Sequence, residues 1–178
     1  YHMSRALLKE GNEILGIDNI NGYYDITIKH DRVAILQSYD NFIFKKIDIT
    51  HQKAIEKEFV SYNPQIVLNL AAQPGVSYSL TNPYAYLQSN LVGFLNIIEL
   101  CRHNKTEGLI YASSSSVYGA NKVIPLNVND QVNKPITLYG ATKRANELIA
   151  YSYSHLYGIK TTGLRYFTVY GPWYRPDM

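Results

Sequence analysis

The sequence predicts an α/β fold built around a doubly wound parallel sheet, and three features of the chain lead to this prediction. Short β-rich runs alternate with longer amphipathic runs. Such alternation predicts parallel strands joined by right-handed crossovers, with helices covering both faces of the sheet. Polar and hydroxyl-bearing residues follow directly after the strand runs, at the carboxyl ends where a doubly wound sheet binds its ligands.

The predicted elements follow one another in a regular order. Each strand is assigned to a short strand-like run; the five runs are Glu13–Ile17, Phe42–Ile47, Ile66–Leu70, Leu109–Ala112 and Thr161–Phe167. Each helix is assigned to a longer run between two strands; the four runs are about Asp25–Gln37, Gln52–Tyr62, Tyr84–His103 and Leu138–Tyr157. The last run contains no Pro and only Gly140 as a weak helix former. Together these elements predict a Rossmann-like layout.

The two ends of the chain do not match the usual limits of this layout. The segment Tyr1–Gly11 has the character of the second half of a helix that Gly11 closes. A Rossmann-like unit ordinarily begins one strand and one Gly-rich turn before that helix. None of the 11 Gly residues forms a G-x-G-x-x-G or G-x-x-G-x-x-G pattern, and the chain stops in a Pro-rich loop after Gly171. We therefore expect a single domain that lacks its first strand and is truncated at both ends.

The composition limits the functions that the chain can have. With 46% hydrophobic and 17% charged residues, the 178-residue chain has the profile of a globular domain. The net charge of +3 is spread without a basic block, so no nucleic-acid partner is expected. A single cysteine, Cys101, excludes an internal disulfide and indicates a reducing, cytoplasmic location. Because no apolar run has the length of a membrane span and no secretory signal opens the chain, no membrane partner is expected.

Two segments carry the candidate chemistry. The first is a run of hydroxyls, Ser113–Ser116, at the end of an apolar strand. The second places Tyr139 and Lys143 four residues apart, so that the phenol and the ammonium share one face if the segment is helical. Ser, Tyr and Lys together can move a proton on and off a substrate hydroxyl while a nicotinamide carries a hydride. No metal site is expected.

The Tyr-x-x-x-Lys pattern carries little weight without its context. The chain contains 17 Tyr residues, and a second match joins Tyr118 to Lys122. Gly119, Asn121 and Pro125 surround that second match with turn-forming chemistry, so Lys122 need not lie on the same side as Tyr118. Tyr139 and Lys143 are therefore the favoured pair, and Tyr118 is the alternative base.

These motifs resemble those of the extended short-chain dehydrogenase/reductases, and within them the nucleotide-sugar epimerases and dehydratases. The resemblance extends over essentially all 178 residues; its most specific segments are Gly16–Asn19, Tyr23–Asp25, Asn69–Gln73, Ser89–Gly93, Tyr111–Gly119, Leu138–Glu147 and Thr161–Pro172. It implies that residues 1–178 form an NAD-binding Rossmann domain. In this family the glycine motif precedes the segment that matches Tyr1, and a smaller sugar-nucleotide domain follows the segment that matches Met178.

Asp18 is the first candidate for binding NAD. It follows the predicted strand Glu13–Ile17, where its carboxylate can accept hydrogen bonds from both adenosine ribose hydroxyls and repel the 2′-phosphate of NADP. A plain turn at Asp18-Asn19 is the alternative. The resemblance extends the NAD site to further residues: Asn19, Asp48, Ile49, Leu70, Ala71, Ala72, Gln73, Ser89, Tyr139, Lys143 and Tyr166. The neighbouring Asn90 can instead be structural, bonding backbone inside its helix.

The catalytic roles follow from acidity. A free Tyr titrates near pH ~10, and the charge of Lys143 one turn away, together with the positive nicotinamide, favours the phenolate. Tyr139 would then take the proton from the sugar 4-hydroxyl as the hydride leaves C4 for NAD. The resemblance assigns Ser114 a hydrogen bond to the same oxygen. For Ser114 alone, a hydroxyl that caps backbone at a strand end is the alternative.

The serine run also separates relatives within the family. The resemblance places Ser115 and Ser116 where 4,6-dehydratases carry Asp-Glu and where decarboxylases carry a Glu in the second position. Simple C4 epimerisation of UDP-glucuronate to UDP-galacturonate, through a 4-keto intermediate, is therefore favoured. The substrate-binding residues implied are Ser114, Ser115, Ser116, Tyr139, Phe167 and Thr168. A UDP-glucose 4-epimerase, a dehydratase or decarboxylase, a non-catalytic dinucleotide-binding module and an inactive fragment are the alternatives. The resemblance also implies a homodimer for the full-length protein.

Overall fold

The computed structural model describes residues 1–176, in which helices and strands alternate along the chain. The elements in order are α1 (His2–Lys9), β1 (Ile14–Asp18), α2 (Ile26–Gln37), β2 (Phe42–Lys46), α3 (Gln52–Tyr62), β3 (Ile66–Asn69), α4 (Tyr78–Thr81), α5 (Pro83–Tyr86), a π-helix (Leu87–Val92), α6 (Gly93–His103), β4 (Gly108–Ala112), a 3₁₀ turn (Ser115–Tyr118), α7 (Leu138–Tyr157) and β5 (Thr161–Leu164).

The strands pair in parallel and, within residues 1–176, they form two sheets. β1 pairs with β2, with Ile14 opposite Phe42. In the other sheet β4 lies between β3 and β5. A doubly wound sheet of order 3-2-1-4-5-6 places its first strand between the second and the fourth. The observed pairings match the 3-2 and 4-5-6 parts of that order. The α/β class and the Rossmann-like parallel pairing are therefore confirmed, and the strand of that order with no counterpart among residues 1–176 is the first, which was predicted to be missing.

The strands lie where the sequence predicts them, although their ends differ. β5 ends at Leu164 rather than at Phe167, because the Tyr166 N–H donates to the Leu164 carbonyl (3.0 Å) and turns the chain out of the strand. The remaining strands differ from their predicted limits by one residue at either end. The polar residues predicted to follow the strands therefore still lie at their carboxyl ends.

Helices α3 and α7 have the predicted limits. α7 begins at Leu138 because the Thr137 side-chain oxygen accepts the Gly140 N–H at 3.0 Å, which satisfies a donor that the first helical turn leaves free. It ends at Tyr157, and Gly158 adopts the left-handed conformation (φ 71°) that glycine tolerates best at a helix terminus. Local capping chemistry thus accounts for both ends.

The predicted helix Tyr84–His103 is a succession of three helical segments. It begins at Pro83, where the Asn82 side chain accepts the Ala85 N–H. The backbone then passes through the π-helix, six residues long, before α6 continues to His103. π-Helices are rare and occur frequently at functional sites. The hydrophobic pattern predicts a helix here but contains no marker for the wider turn.

Contacts divide the chain into two compact units. The first unit contains Tyr1–Asp48 and the segment that starts at Val169. Its core is a cluster of Leu8, Leu36 and Phe42, and His2 Nε2 lies 2.9 Å from the Pro172 carbonyl. Residues 172–176, part of the Pro-rich loop in the sequence, therefore pack within this unit.

The second unit spans Ile49–Thr168 and contains both candidate segments. Its interior is aliphatic and includes Ile55, Ile98 and Leu109, each at most 1% exposed. Cys101 is fully buried, and burial raises the pKa of its thiol to about 12, as is typical of a packing residue. Within residues 1–176 no helix combines the length and the apolar character needed to cross a membrane.

Candidate active site

One face of α7 carries three polar side chains at successive turns: Tyr139, Lys143 and Glu147. Lys143 is only 3% exposed, and its Nζ donates to the Ala112 carbonyl at the end of β4 (2.9 Å). The same Nζ lies 6.0 Å from the centre of the Tyr139 ring. The ring of Tyr139 in turn packs edge-on against Tyr86, with 6.1 Å between the centroids. The structure thus brings together the phenol and the ammonium that the spacing predicts.

Burial lowers the pKa of Lys143 from its usual 10.5 to about 8. The ammonium loses most of its hydration, and the one hydrogen bond to a neutral carbonyl compensates only part of that loss. At pH 7 the side chain remains protonated, because the lowered pKa is still about one unit higher. It therefore places a positive charge inside the protein, beside the phenol of Tyr139.

Ser114 lies directly beyond β4 in extended backbone (φ −159°, ψ 151°), and its side chain is buried. Its Oγ accepts the Ser116 N–H at 3.1 Å, so the backbone-capping alternative for this hydroxyl is present in the structure. Capping uses a lone pair of the oxygen and leaves its proton able to donate elsewhere. The cap and the proposed hydrogen bond to a substrate oxygen are therefore compatible.

Gly140 allows the start of α7 to approach the serine run closely. A Cβ added at Gly140 would lie 2.7 Å from the Ser116 carbonyl oxygen, closer than a Cβ atom comes to another heavy atom in folded proteins. Because Gly140 directly follows Tyr139, this contact brings the first turn of α7 against the residues that follow β4. Gly140, the one weak helix former in the predicted run, is thus the residue that allows α7 to lie close to Ser116.

A network around Glu147 was not predicted from the sequence. Its carboxylate accepts hydrogen bonds from Ser113 Oγ (2.6 Å), from Arg144 (2.7 Å) and from Arg165 Nε (2.9 Å) and Nη2 (3.0 Å). Burial alone would raise the pKa of Glu147, but the hydrogen bonds from Arg165, Ser113 and Arg144 outweigh it and lower that pKa. The one signal in the sequence was its spacing, four residues after Lys143.

The sequence suggested that Asn90 bonds to backbone inside its own helix. In the structure Asn90 lies in the π-helix, and its side chain bonds to other segments instead. It is 1% exposed; its Oδ1 accepts the Gln73 N–H (2.7 Å), and its Nδ2 donates to the Gln73 carbonyl (3.3 Å) and to Thr142 Oγ1 (3.1 Å). Thr142 directly precedes Lys143 on α7. Asn90 therefore joins the loop after β3 to the helix that carries Lys143.

Several residues that the resemblance assigns to the NAD site differ in exposure. Leu70 and Ala71 are exposed, Ala72 and Ser89 are half-buried, and Gln73 is buried. Ile49, also assigned to the NAD site by the resemblance, directs its side chain into the second unit. The Ile49 side chain fills the space beside Gly93, because a Cβ added at Gly93 would lie 2.6 Å from Ile49 Cδ1.

The segment after β5 lies beside the serine run. The Tyr166 carbonyl accepts the Ser115 N–H at 2.8 Å, and the Phe167 ring lies 6.4 Å from that of Tyr118. Tyr166, Phe167 and Thr168 are exposed. The backbone thus brings the predicted substrate residues of two distant segments to one strand end.

The competing pair Tyr118 and Lys122 has a different geometry. Tyr118 ends the 3₁₀ turn and is buried, with the Arg165 guanidinium 5.0 Å from its ring centre. The turn predicted after it is present, since Gly119 has a φ of 57° and the Asn121 N–H donates to the Tyr118 carbonyl. Lys122 lies beyond this turn and is exposed.

In the first unit, Asp18, Asn19 and Asp48 meet at the carboxyl end of the β1–β2 sheet. Asp18 Oδ1 accepts the Ile20 N–H (2.7 Å), so the turn alternative is again present, while Asn19 Nδ2 donates to Asp48 Oδ2 (2.8 Å). Lys29, which was not predicted, lies nearby. Burial lowers its pKa, and the charge of Asp18 opposes that shift. Across residues 1–176 no group of three side chains has the make-up of a metal site.

Comparison with known proteins places this geometry in a family. The chain matches the NAD dependent epimerase/dehydratase family over residues 1–178. Protein CapI of Staphylococcus aureus is 51% identical over 177 residues, which are 99% of this chain and 53% of that protein. The probable UDP-glucuronate 4-epimerase of Rhizobium meliloti (strain 1021) is 45% identical over 178 residues, 100% of this chain and 52% of the relative.

A solved structure agrees with these relatives. The UDP-glucuronic acid 4-epimerase from Bacillus cereus, in complex with UDP-glucuronic acid and NAD, matches 99% of this chain with a TM-score of 0.90 and 34% identity. The match covers 55% of that enzyme, so the chain spans about half the length of the proteins it resembles. With the family match extending from the first residue to the last, the chain belongs to the NAD dependent epimerase/dehydratase family.

Proposed function

We propose that the protein acts as an NAD-dependent nucleotide-sugar 4-epimerase and that its substrates are UDP-glucuronate and UDP-galacturonate. The observation that carries the proposal is the buried Lys143 ammonium beside Tyr139, on a helix packed against the serine run. Relatives and a solved structure with this activity in their names support it. The experiments below use a longer protein, in which residues 1–178 are joined to the flanking segments that the relatives have. Where the gene itself does not encode such a segment, the segment is taken from the Bacillus cereus enzyme. We call this longer protein the complete protein.

The described residues fit parts of an NAD site. Asp18 is exposed at the end of β1, and with Oδ1 engaged by the Ile20 N–H, its Oδ2 can accept from ribose hydroxyls. Lys143 has three protons, of which the bond to the Ala112 carbonyl uses one, so it can also donate to a ribose. Bound NAD would supply the acceptor and then the donor of the C4 hydride.

The chain's own residues supply the proton transfer. Tyr139 removes the proton from the sugar 4-hydroxyl and later returns it, and the positive charge of Lys143 stabilises the phenolate that does this. Ser114, whose proton is not used by its backbone cap, donates to the same sugar oxygen. The proton thus leaves and re-enters at one oxygen while the configuration at C4 inverts.

The hydroxyls of Ser115, Ser116 and Thr168 would recognise the C5 carboxylate. Ser115 and Thr168 belong to segments that the Ser115–Tyr166 backbone hydrogen bond joins. A 4-keto group lies β to this carboxylate and promotes its loss, so hydrogen bonds that hold it in place favour epimerisation over decarboxylation. A hydroxymethyl group cannot satisfy the same donors, and an unpaired buried donor is costly.

The homodimer and the cytoplasmic location expected from the sequence stay predictions.

Substrate preference tests this proposal. We expect kcat/KM of the complete protein for UDP-glucuronate to exceed that for UDP-glucose by roughly 10²–10⁴-fold, because the site's hydroxyls would lose their partner. Ser116→Ala should reduce this ratio, whereas Ser152→Ala, on the exposed side of α7, should not. Equal turnover of UDP-glucose would assign the chain to UDP-galactose 4-epimerases, UDP-xylose would assign it to decarboxylases, and NAD binding without turnover would indicate a non-catalytic module.

A further inference from the structure

The carboxylate of Glu147 joins three parts of the second unit. Glu147 belongs to α7, Ser113 follows β4, and Arg165 follows β5. The Ser113 hydroxyl donates to Oε1 at 2.6 Å, and the Arg165 guanidinium binds both carboxylate oxygens, at 2.9 and 3.0 Å. The Glu147 side chain is only 10% exposed, so these bonds form in a largely dehydrated setting.

We propose that Glu147 is a positioning residue for the epimerase reaction proposed above, acting through Ser113. It fixes the location of Tyr139 and Lys143 along and around the α7 axis relative to Ser114. The inference rests on the proposed function for its chemistry and on the contacts of Glu147 for its geometry.

Two contacts tie one face of α7 to the end of β4. Lys143 donates to the Ala112 carbonyl, and one turn later Glu147 accepts from the Ser113 hydroxyl. Ala112 and Ser113 are consecutive residues and lead directly to Ser114. Two neighbouring points at the end of β4 are thus tied to two successive turns of one helix face. The Asn90–Thr142 hydrogen bond also holds this part of α7. The Glu147 contact adds a second tie to the end of β4 itself, and so limits how far this face of the helix can rotate or slide relative to Ser114.

Arg165 compensates the buried charge of Glu147 and also connects Glu147 to the segment on the other side of the serine run. An isolated buried carboxylate would be strongly disfavoured, and the two-pronged bond to Arg165 compensates its charge. Arg165 directly precedes Tyr166, whose carbonyl accepts the Ser115 N–H. The residues on either side of Ser114 are therefore both held, Ser113 by its side chain and Ser115 by its backbone.

A purely structural ion pair is the alternative, and the chain contains a matched example. Glu99 on α6 accepts hydrogen bonds from Tyr153 of α7 (2.6 Å) and from Arg102 (3.2 Å). It too joins α7 to a second element through a carboxylate, but within residues 1–176 its hydrogen bonds go to Tyr153, Arg102 and His103 and not to the residues that follow β4. Glu99→Gln therefore serves as a control for the general effect of losing such a charge.

The test compares Ser113→Ala, Ser113→Thr, Glu147→Gln and Glu99→Gln in the complete protein. We expect Ser113→Ala and Glu147→Gln to lower kcat by about 10-fold or more, with little change in KM, because geometry and not binding is lost. Ser113→Thr keeps the hydroxyl and should restore most of kcat. Glu99→Gln should lower the melting temperature and leave kcat within about twofold. If Ser113→Ala and Glu147→Gln lower only the melting temperature, the positioning role is wrong.

A second measurement keeps this inference separate from the proposed reaction. If the unchanged complete protein turns over no UDP-sugar, the proposed function fails, and the pKa of Lys143 measured by NMR then decides the positioning role. Loss of the Ser113 contact should loosen α7 and hydrate Lys143, which raises its pKa by about one unit in Ser113→Ala. Glu99→Gln should leave that pKa unchanged. An unchanged pKa in Ser113→Ala would overturn the inference.

Discussion

Tyr139→Phe in the complete protein is expected to lower kcat for epimerisation by about 10²–10⁴-fold, the usual contribution of a positioned general base. The substitution removes only the phenolic oxygen. The Tyr139 ring packs against Tyr86, and phenylalanine retains this contact, so the fold around Lys143 should be preserved. NAD affinity should change little, because Lys143 and Asp18 remain in place.

The competing tyrosine is the control for this result. Tyr118→Phe should leave kcat almost unchanged, since Tyr118 is buried beneath Arg165 and its partner in the pattern, Lys122, is exposed. Steady-state rates with UDP-glucuronate and calorimetric titration with NAD measure the two expected effects. If Tyr139→Phe kept most of its activity and Tyr118→Phe lost it, Tyr118 would be the base.

Lys143→Met is expected to make the protein inactive and yet more stable at neutral pH. The lowering of the Lys143 pKa from 10.5 to about 8 corresponds to a penalty on the folded state of roughly 3 kcal/mol while the group is protonated. Methionine removes this penalty but leaves the Ala112 carbonyl without its donor, which costs about 1–2 kcal/mol. The free energy of unfolding should therefore rise by about 1–2 kcal/mol at pH 7, while kcat falls because the phenolate loses its neighbouring charge.

The pH dependence of that gain follows from the two pKa values of Lys143. Below about pH 8 the lysine is protonated in both the folded and the unfolded state, so the full penalty is present. Between about 8 and 10.5 the folded protein releases the proton first, and the stability of the unchanged protein rises. Urea unfolding should thus show the advantage of Lys143→Met shrinking over this range. Lys122→Met, at an exposed lysine, should show no such change.

A constant advantage of Lys143→Met from pH 7 to pH 10.5 would mean that burial does not perturb this ammonium. A loss of stability at pH 7 would mean that the hydrogen bond to Ala112 outweighs the cost of burying the charge. Either result would contradict the electrostatic role assigned to Lys143.

Local sequence chemistry accounts for what could be predicted of the fold. The limits of α7 follow from Thr137 and Gly158, two capping residues whose preferences depend only on their neighbours in the chain. The Tyr139–Lys143 face follows from helical spacing alone. The predicted end of β5 was wrong because the chain turns at Tyr166 within the strand-like run Thr161–Phe167, and no turn-forming residue stands at that position.

Contacts between distant segments account for what could not be predicted. Ser113 and Glu147 are 34 positions apart, and Arg165 follows Glu147 by 18. Their bonds exist only once β4 and β5 pair and α7 packs beside them, so a single sequence presents Glu147 as an ordinary surface charge. The same reasoning applies to Asn90, whose partners Gln73 and Thr142 lie on two other segments.

In the proposed function, the Tyr139–Lys143 pair serves a hydride transfer at C4 of a UDP-linked uronic acid. Incubating the complete protein with NAD and UDP-glucuronate that carries deuterium at C4 tests this most directly. Because the hydride leaves C4 and returns to it without exchange, the account predicts UDP-galacturonate with deuterium retained at C4 in ordinary water, as measured by NMR. UDP-galacturonate that has lost the deuterium, or no UDP-galacturonate at all, would contradict it.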